Sequence, residues 1–205
     1  MPPRTGIADT GLRAAKLATE RRAVPNGVWG MALFLCAETM LFAGLIASYF
    51  YLDFRAPRWP PAGAPLPEVR GPAILTAVLV ATTVPIVFAS RRARAGSRDG
   101  TIAMLAIATL VQAGYVAYQL HALVGELHTT PPQSSAYASS LIALLALHHA
   151  HVLLGVLLNL GMIFWLFAKG LTGYRLTGVR AIALYWYVVN TIAVAVLLTT
   201  ISPSL

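Results

Sequence analysis

Apolar residues fill five long stretches of this chain, residues 28–52, 72–90, 101–124, 138–168 and 181–201, and the polar and charged residues gather in the connections between them. Nowhere do polar and apolar residues alternate with the period of two that a barrel strand requires. Each stretch instead has about the 20 residues with which a helix rising 1.5 Å per residue crosses ~30 Å of hydrocarbon. Backbone groups in lipid must be satisfied within the spanning segment or a closed barrel, so the pattern predicts five transmembrane helices. The fourth is long enough to tilt or protrude. The predicted fold class is an all-α integral membrane bundle, with residues 1–26 as a cytosolic tail and residues 27–205 as the transmembrane domain.

One acidic residue interrupts these stretches. Glu38 stands near the middle of the first, and an ionised carboxylate at the bilayer centre costs at least ~2.5–3.5 kcal/mol on insertion scales. Such a residue pairs inside the bundle, stays protonated, or takes part in moving protons or ions. Cys36, two residues earlier and the only cysteine, excludes an internal disulfide and reads as a small buried hydrophobe.

The basic residues supply direction. Arg4, Arg13, Lys16, Arg21 and Arg22 precede the first stretch, Arg91, Arg92, Arg94 and Arg98 join the second to the third, and Lys169, Arg175 and Arg180 join the fourth to the fifth. Only Arg55, Arg58 and Arg70 fall on the other side. The positive-inside rule then places the N-terminus in the cytoplasm and the C-terminus outside. A net charge of +8 raises the question of nucleic acid, but the cations are short juxtamembrane clusters without interleaved aromatics. Anionic phospholipid headgroups are the nearer partner, with Arg21, Arg22, Arg91, Arg92 and Arg94 as the binding residues. With 58% hydrophobic and 11% charged residues, the composition agrees with a membrane protein. The 1–26 segment has no apolar core before Val28 and does not read as a signal peptide. The longest connection, with Arg58-Trp59-Pro60-Pro61, reads as a stiff outer loop whose tryptophan lies near the interface.

Candidate chemistry narrows to Glu38 and the histidines. His148 and His151 share a face of the fourth helix at i, i+3, while His121 lies near the outer end of the third and His128 in the loop after it. Counting about 1.5 Å per residue puts Glu38, His148 and His151 all close to the midplane, so Glu38 meets His148 or His151 if helices one and four are neighbours. A bis-histidine haem is disfavoured because His121 is at the wrong depth to face His148, and a non-haem metal would want more carboxylate than Glu38 alone. The plainest role for the histidines is hydrogen bonding between helices. Gln112, Gln119, Tyr115, Tyr118, Tyr185, Tyr187 and Asn190 read as interhelical glue, and Gly44-x-x-x-Ser48 with Ala43-x-x-x-Ala47 as a face for close packing. No nucleotide-binding, zinc-protease or histidine-box motif is present, so no metal or catalytic residue is assigned. A small proton-coupled transporter centred on Glu38 is the alternative from another class; it lacks inverted-repeat symmetry, and Pro85 interrupts only one helix.

Four blocks carry a resemblance: Gly30-Met-Ala-Leu-Phe-Leu-Cys-Ala-Glu38-Thr-Met-Leu-Phe-Ala-Gly44, the Trp59-Pro-Pro loop, Leu147-His-His-Ala-His151-Val-Leu-Leu-Gly155, and Ala183-Leu-Tyr-Trp186-Tyr-Val-Val-Asn190. In order and spacing the chain, from about Gly27 onward, resembles subunit III of haem-copper oxygen reductases, the cytochrome c oxidase type, in its five-helix form. The resemblance implies an accessory subunit with no haem or copper of its own, those belonging to the partner catalytic subunit I. It implies packing beside that subunit and the other oxidase subunits, lipid binding, support of proton entry, and residence in the bacterial plasma (inner) membrane. Glu38 matches the family's buried glutamate, and His148 and His151 match its histidine pair, whose intervening glycine is His149 here. The chain departs from the pattern at Trp186-Tyr187-Val188-Val189-Asn190, where the family has a histidine and an aspartate, and at Gln119-Leu-His-Ala122, where a glutamate is usual. These departures neutralise half of the family's buried polar network. They leave a nitric oxide reductase, which uses similar accessory subunits, as an alternative partner.

Overall fold

A computed structural model describes residues 26–64 and 66–204. The tail reading, including headgroup contacts of Arg21 and Arg22, falls outside the described residues. The described chain is helical throughout its apolar stretches: α1 (Asn26–Arg55), α2 (Arg70–Ala81), α3 (Thr83–Arg94), α4 (Arg98–Thr129), α5 (Ala136–Lys169) and α6 (Gly173–Ile201), with single 3₁₀ turns at Pro132–Ser134 and Ser202–Ser204. Helices α2 and α3 together form the second of five membrane-length spans. All five predicted spans are present.

Local chemistry sets the boundaries. Pro85 has no N–H to give the carbonyl of Ala81, and its ring crowds that carbonyl, so the second span breaks one turn earlier, at Thr82. There the Thr82 N–H turns to the Leu79 carbonyl at 3.0 Å, and its hydroxyl donates to the same oxygen at 2.6 Å. Helix α4 stops before Pro131, α5 starts where the Ser135 hydroxyl accepts the Ala138 N–H at 3.1 Å, and α5 ends at Gly170, whose φ of 71° favours glycine.

Helices α5 and α6 form the middle of the bundle. Helix α1 lies against both, α4 flanks α5, and the second span bridges α4 and α6. Its C-terminal half α3 packs along α4, whereas its N-terminal half α2 leans mainly on α6 and touches α4 little. Helix α6 is the most buried span and α1 the least. One core runs through Leu79, Ile86, Leu105, Val152, Tyr185 and Trp186; a second joins Phe42 to Leu144, Ile192 and Val196. At the end where α1 runs into the connection to α2, Trp59 folds back from its loop onto Tyr49 and Tyr137, ring centroids 5.2 and 5.1 Å away, and closes the bundle there.

At the opposite end Arg98, the first residue of α4, donates from Nε to the Leu166 carbonyl at 2.9 Å and from Nη2 to the Phe167 carbonyl at 3.0 Å. It adds a second donor to the Leu166 carbonyl, which already accepts the Gly170 N–H at 3.0 Å, and reaches the Phe167 carbonyl in the last turn of α5, where a cation also complements the helix dipole. Arg175 likewise donates to the carbonyls of Lys169 and Gly170.

Several sequence readings are corrected. Cys36 is exposed on the outer face of α1 rather than buried. Ala43, Gly44, Ala47 and Ser48 are exposed too, so no helix among the described residues packs on that small-residue face. Tyr118 and Tyr187 point outward instead of bridging helices. The cause is common to all four: in lipid, the outward face of a helix is as apolar as the inward one, and residue polarity does not reveal direction.

Candidate functional site

Helix α1 presents Leu35, Glu38, Phe42 and Tyr49 along the stripe that meets the rest of the bundle, three of them buried. On α5 the facing position belongs to His151. Its Nε2 lies 3.0 Å from Glu38 Oε2, and its Nδ1 lies 2.8 Å from the Leu147 carbonyl one turn back. The Phe42 ring packs edge-on at 5.2 Å and fixes the imidazole plane. From α6, the Tyr185 hydroxyl donates to the His151 carbonyl at 2.7 Å.

This arrangement constrains where protons sit. A carbonyl oxygen can only accept, so Nδ1 of His151 carries a hydrogen. The Nε2 to Oε2 contact then holds one proton. It resides either on nitrogen, giving an imidazolium beside a carboxylate, or on oxygen, giving an imidazole beside a carboxylic acid. Both states are neutral overall, so the pair answers the insertion cost of a lone carboxylate. A proton crossing the contact changes no net charge. The Glu38 side chain keeps 22% of its exposure and that of His151 12%, which places the pair at the seam between α1 and α5 rather than at the bundle axis.

The two histidines of the i, i+3 face separate. His148 is buried, and neither ring nitrogen has a hydrogen-bond partner among the described residues. His149 turns the other way, toward α4, where Gln119 Nε2 donates to its Nε2 at 3.3 Å and the Tyr115 ring packs edge-on. His121 and His128 are exposed, away from this cluster. Among the described residues, no group of three or more His, Cys, Asp or Glu side chains is placed to hold a metal ion.

A second polar feature was not legible beforehand. Trp186 Nε1 donates to Asn159 Oδ1 at 3.0 Å, Asn159 Nδ2 to Gln112 Oε1 at 2.9 Å, and Gln112 Nε2 to Thr82 Oγ1 at 2.9 Å; the Thr82 hydroxyl then donates to the Leu79 carbonyl. Four donors point the same way through four of the five spans, and Trp186, Asn159 and Gln112 are wholly enclosed. Each bond polarises the next, and none of the groups is charged. Gln112 was read as glue, but Thr82 and Asn159 were missed. The available signal was Asn159 itself, an amide on the Val152 and Gly155 face of an otherwise apolar helix end. Gly155 lets Trp186 into place: a Cβ there would stand 2.5 Å from a ring carbon of Trp186 and 2.9 Å from one of Tyr185. Asn190 makes a smaller link, donating to Thr83 Oγ1 at 2.8 Å beside the break in the second span.

Arg91, Arg92 and Arg94 stand exposed in the last turn of α3, with Arg91 stacked over Phe88. They lie at the same end of the bundle as Arg98 and Arg175.

Comparison with known proteins adds relatives to this geometry. A model of the family described as cytochrome c oxidase subunit III matches residues 9–201. The chain is 30% identical over 170 residues to the quinol oxidase subunit 3 of Bacillus subtilis, covering 80% of this chain and 81% of that one. It is 27% identical to the cytochrome bo(3) ubiquinol oxidase subunit 3 of Pseudomonas aeruginosa, covering 83% and 82%. It is 28% identical to the cytochrome c oxidase subunit 3 of a Synechocystis species, covering 80% and 70%.

Proposed function

The chain belongs to the cytochrome c oxidase subunit III family, and from that premise we propose that it is a redox-centre-free accessory subunit of a respiratory haem-copper oxidase in a bacterial plasma membrane. It stabilises the haem- and copper-bearing catalytic subunit beside it. Its arginine-rich end faces the cytoplasm, following the charge asymmetry, and Arg91, Arg92 and Arg94 hold anionic headgroups there.

The observation that carries the mechanistic part is the Glu38 to His151 contact with Nδ1 committed to a carbonyl. A neutral one-proton pair in the membrane interior relays a proton with no net charge left in lipid when uptake on one side is coupled to release on the other. In this reading it supports proton delivery to the catalytic subunit. His148, matched to the same family motif, serves α5 packing instead.

The test compares two substitutions in the complex purified through a tag on this chain, with haem content read from the visible spectrum. Glu38→Gln keeps a donor toward His151 Nε2 and should preserve assembly, whereas Glu38→Ala leaves that nitrogen unpaired and should loosen α1 by roughly 0.6–1.7 kcal/mol, the range of interhelical hydrogen bonds in membranes. Loss of high-pH turnover, or turnover that decays during the assay, in assembled Glu38→Gln supports the proton role. Unchanged turnover and pH profile in that variant would reduce the pair to a packing contact.

A further inference from the structure

The break at Thr82 has a consequence at the outer end of the bundle. Because α2 leans on α6 and barely touches α4, a half-open cavity of about 400 Å³ remains among α2, α4, α5 and the end of α6. Its mouth carries Glu68 and Glu126, and among the described residues no lysine or arginine lines it. Its floor is Gln119 with His149, the latter 3% exposed and with Nδ1 unpaired among the described residues. Gln119 lies seven residues before Glu126 on α4, so the floor is about 10 Å below the mouth at 1.5 Å per residue.

We infer that this cavity is a water-filled vestibule, favouring small cations and protons, that opens on the side opposite the arginine clusters and brings that aqueous phase down to His149. Three observations argue for water over a lipid tail or an anionic headgroup. The two carboxylates repel phosphate and raise the local concentration of cations. The walls are mainly apolar, but polar groups stand at both ends, Thr130 and Thr200 with the carboxylates and the imidazole and amide at the floor, and these supply the partners that water in so roomy a space needs. Buried polar atoms in native proteins find partners, and His149 Nδ1, in the lining of this cavity, has none among the described residues. His148 and His149 have ring centroids 5.7 Å apart, and His148 precedes His151 by three residues on α5. The vestibule therefore ends beside the histidine run that contains the Glu38 partner. This role lies beyond the accessory-subunit reading and depends only on this chain's own walls.

The test is thiol accessibility in sealed membrane vesicles of both orientations, using the full chain in its complex and a Cys36→Ser background. Ala122→Cys on the α4 wall and Leu145→Cys, one turn outward of His149, report the interior. Leu157→Cys on the outward face of α5 reports lipid. Membrane-impermeant methanethiosulfonates are added from one side, one carrying a trimethylammonium and one a sulfonate. Both interior cysteines should react from the side opposite the arginine clusters while Leu157→Cys stays unmodified. The cationic reagent should be favoured about five- to tenfold beyond its preference for a free thiol in solution, and Glu126→Gln should remove most of that preference. Failure of both interior cysteines to react, or reaction only from the arginine-rich side, overturns the inference. Reaction with no charge preference overturns the cation-favouring part. Because no turnover is measured, these outcomes are separate from those of the Glu38 substitutions.

Discussion

Replacing Asn159 by alanine removes the middle of the chain of hydrogen bonds that runs from Trp186 to Thr82. Two enclosed groups lose their partners at once, the Trp186 Nε1–H and the Gln112 Oε1. In a water-soluble core each orphan would cost ~1–3 kcal/mol. Interhelical hydrogen bonds in membranes average only ~0.6 and reach ~1.7 kcal/mol, because the unfolded chain in lipid also finds partners. The membrane scale governs here, so two lost bonds give about 1–3.5 kcal/mol. Gln112→Ala in the same background separates a connected chain from two independent contacts. Once Asn159 is gone, Gln112 has one bond left to lose, and the double variant should cost less than the sum of the singles by about 0.5–1.5 kcal/mol. The assay is reversible unfolding of the purified chain in mixed micelles, followed by helical circular dichroism and by tryptophan emission in a background with Trp29, Trp59 and Trp165 replaced by phenylalanine, so that Trp186 alone reports. A loss below about 0.5 kcal/mol for Asn159→Ala, the range of an ordinary surface substitution, would refute the reasoning. So would strict additivity in the double variant.

Gly155→Ala places a methyl 2.5 Å from the Trp186 ring and should cost ~1–3 kcal/mol in the same unfolding assay; Gly44→Ala, which meets nothing within 4 Å, should leave the isolated chain unchanged. Replacing Arg91, Arg92 and Arg94 together with glutamine should lower the anionic phospholipid retained by the purified complex, each cation near the surface being worth ~1 kcal/mol, and lipid phosphorus analysis with headgroup identification would expose an unchanged content.

The sequence carried the number of spans, the interruption at Pro85, and the meeting of Glu38 with the histidine run, because each rests on a local rule about length, a missing donor or the cost of a charge in lipid. It could not choose between His148 and His151. Both share a face at i, i+3, and which one meets α1 depends on the rotation of α5, which is set by how closely Gly155 admits Trp186 and Tyr185 from α6. That contact is absent from the sequence of α5 alone. The exposure of Cys36 and of the Gly44 face was illegible for a different reason, since apolar side chains suit lipid and core equally well. Asn159 escaped attention because a single amide in an apolar run signals nothing until its partners on three other helices are known. His149 marks itself in the sequence only as the residue in place of a glycine, and its contact with Gln119 at the cavity floor depends on how α4 and α5 pair.

Helices α4 and α5 are fastened at both ends, by the short connection over residues 130–135 on one side and by Arg98 on the last carbonyls of α5 on the other. A hairpin closed in this way behaves as a beam: it can bow slightly, but its two members cannot splay at either end. Breathing of the bundle therefore has to be taken up elsewhere, and the second span is the member already cut, at Thr82. The bond from Gln112 to Thr82 Oγ1 sits at that cut and fastens it to the beam. In mechanical terms α3 is clamped along α4 while α2 is a lever pivoting about Thr82, its arm resting on α6 and its pivot held by two amides, Gln112 on Thr82 and Asn190 on Thr83.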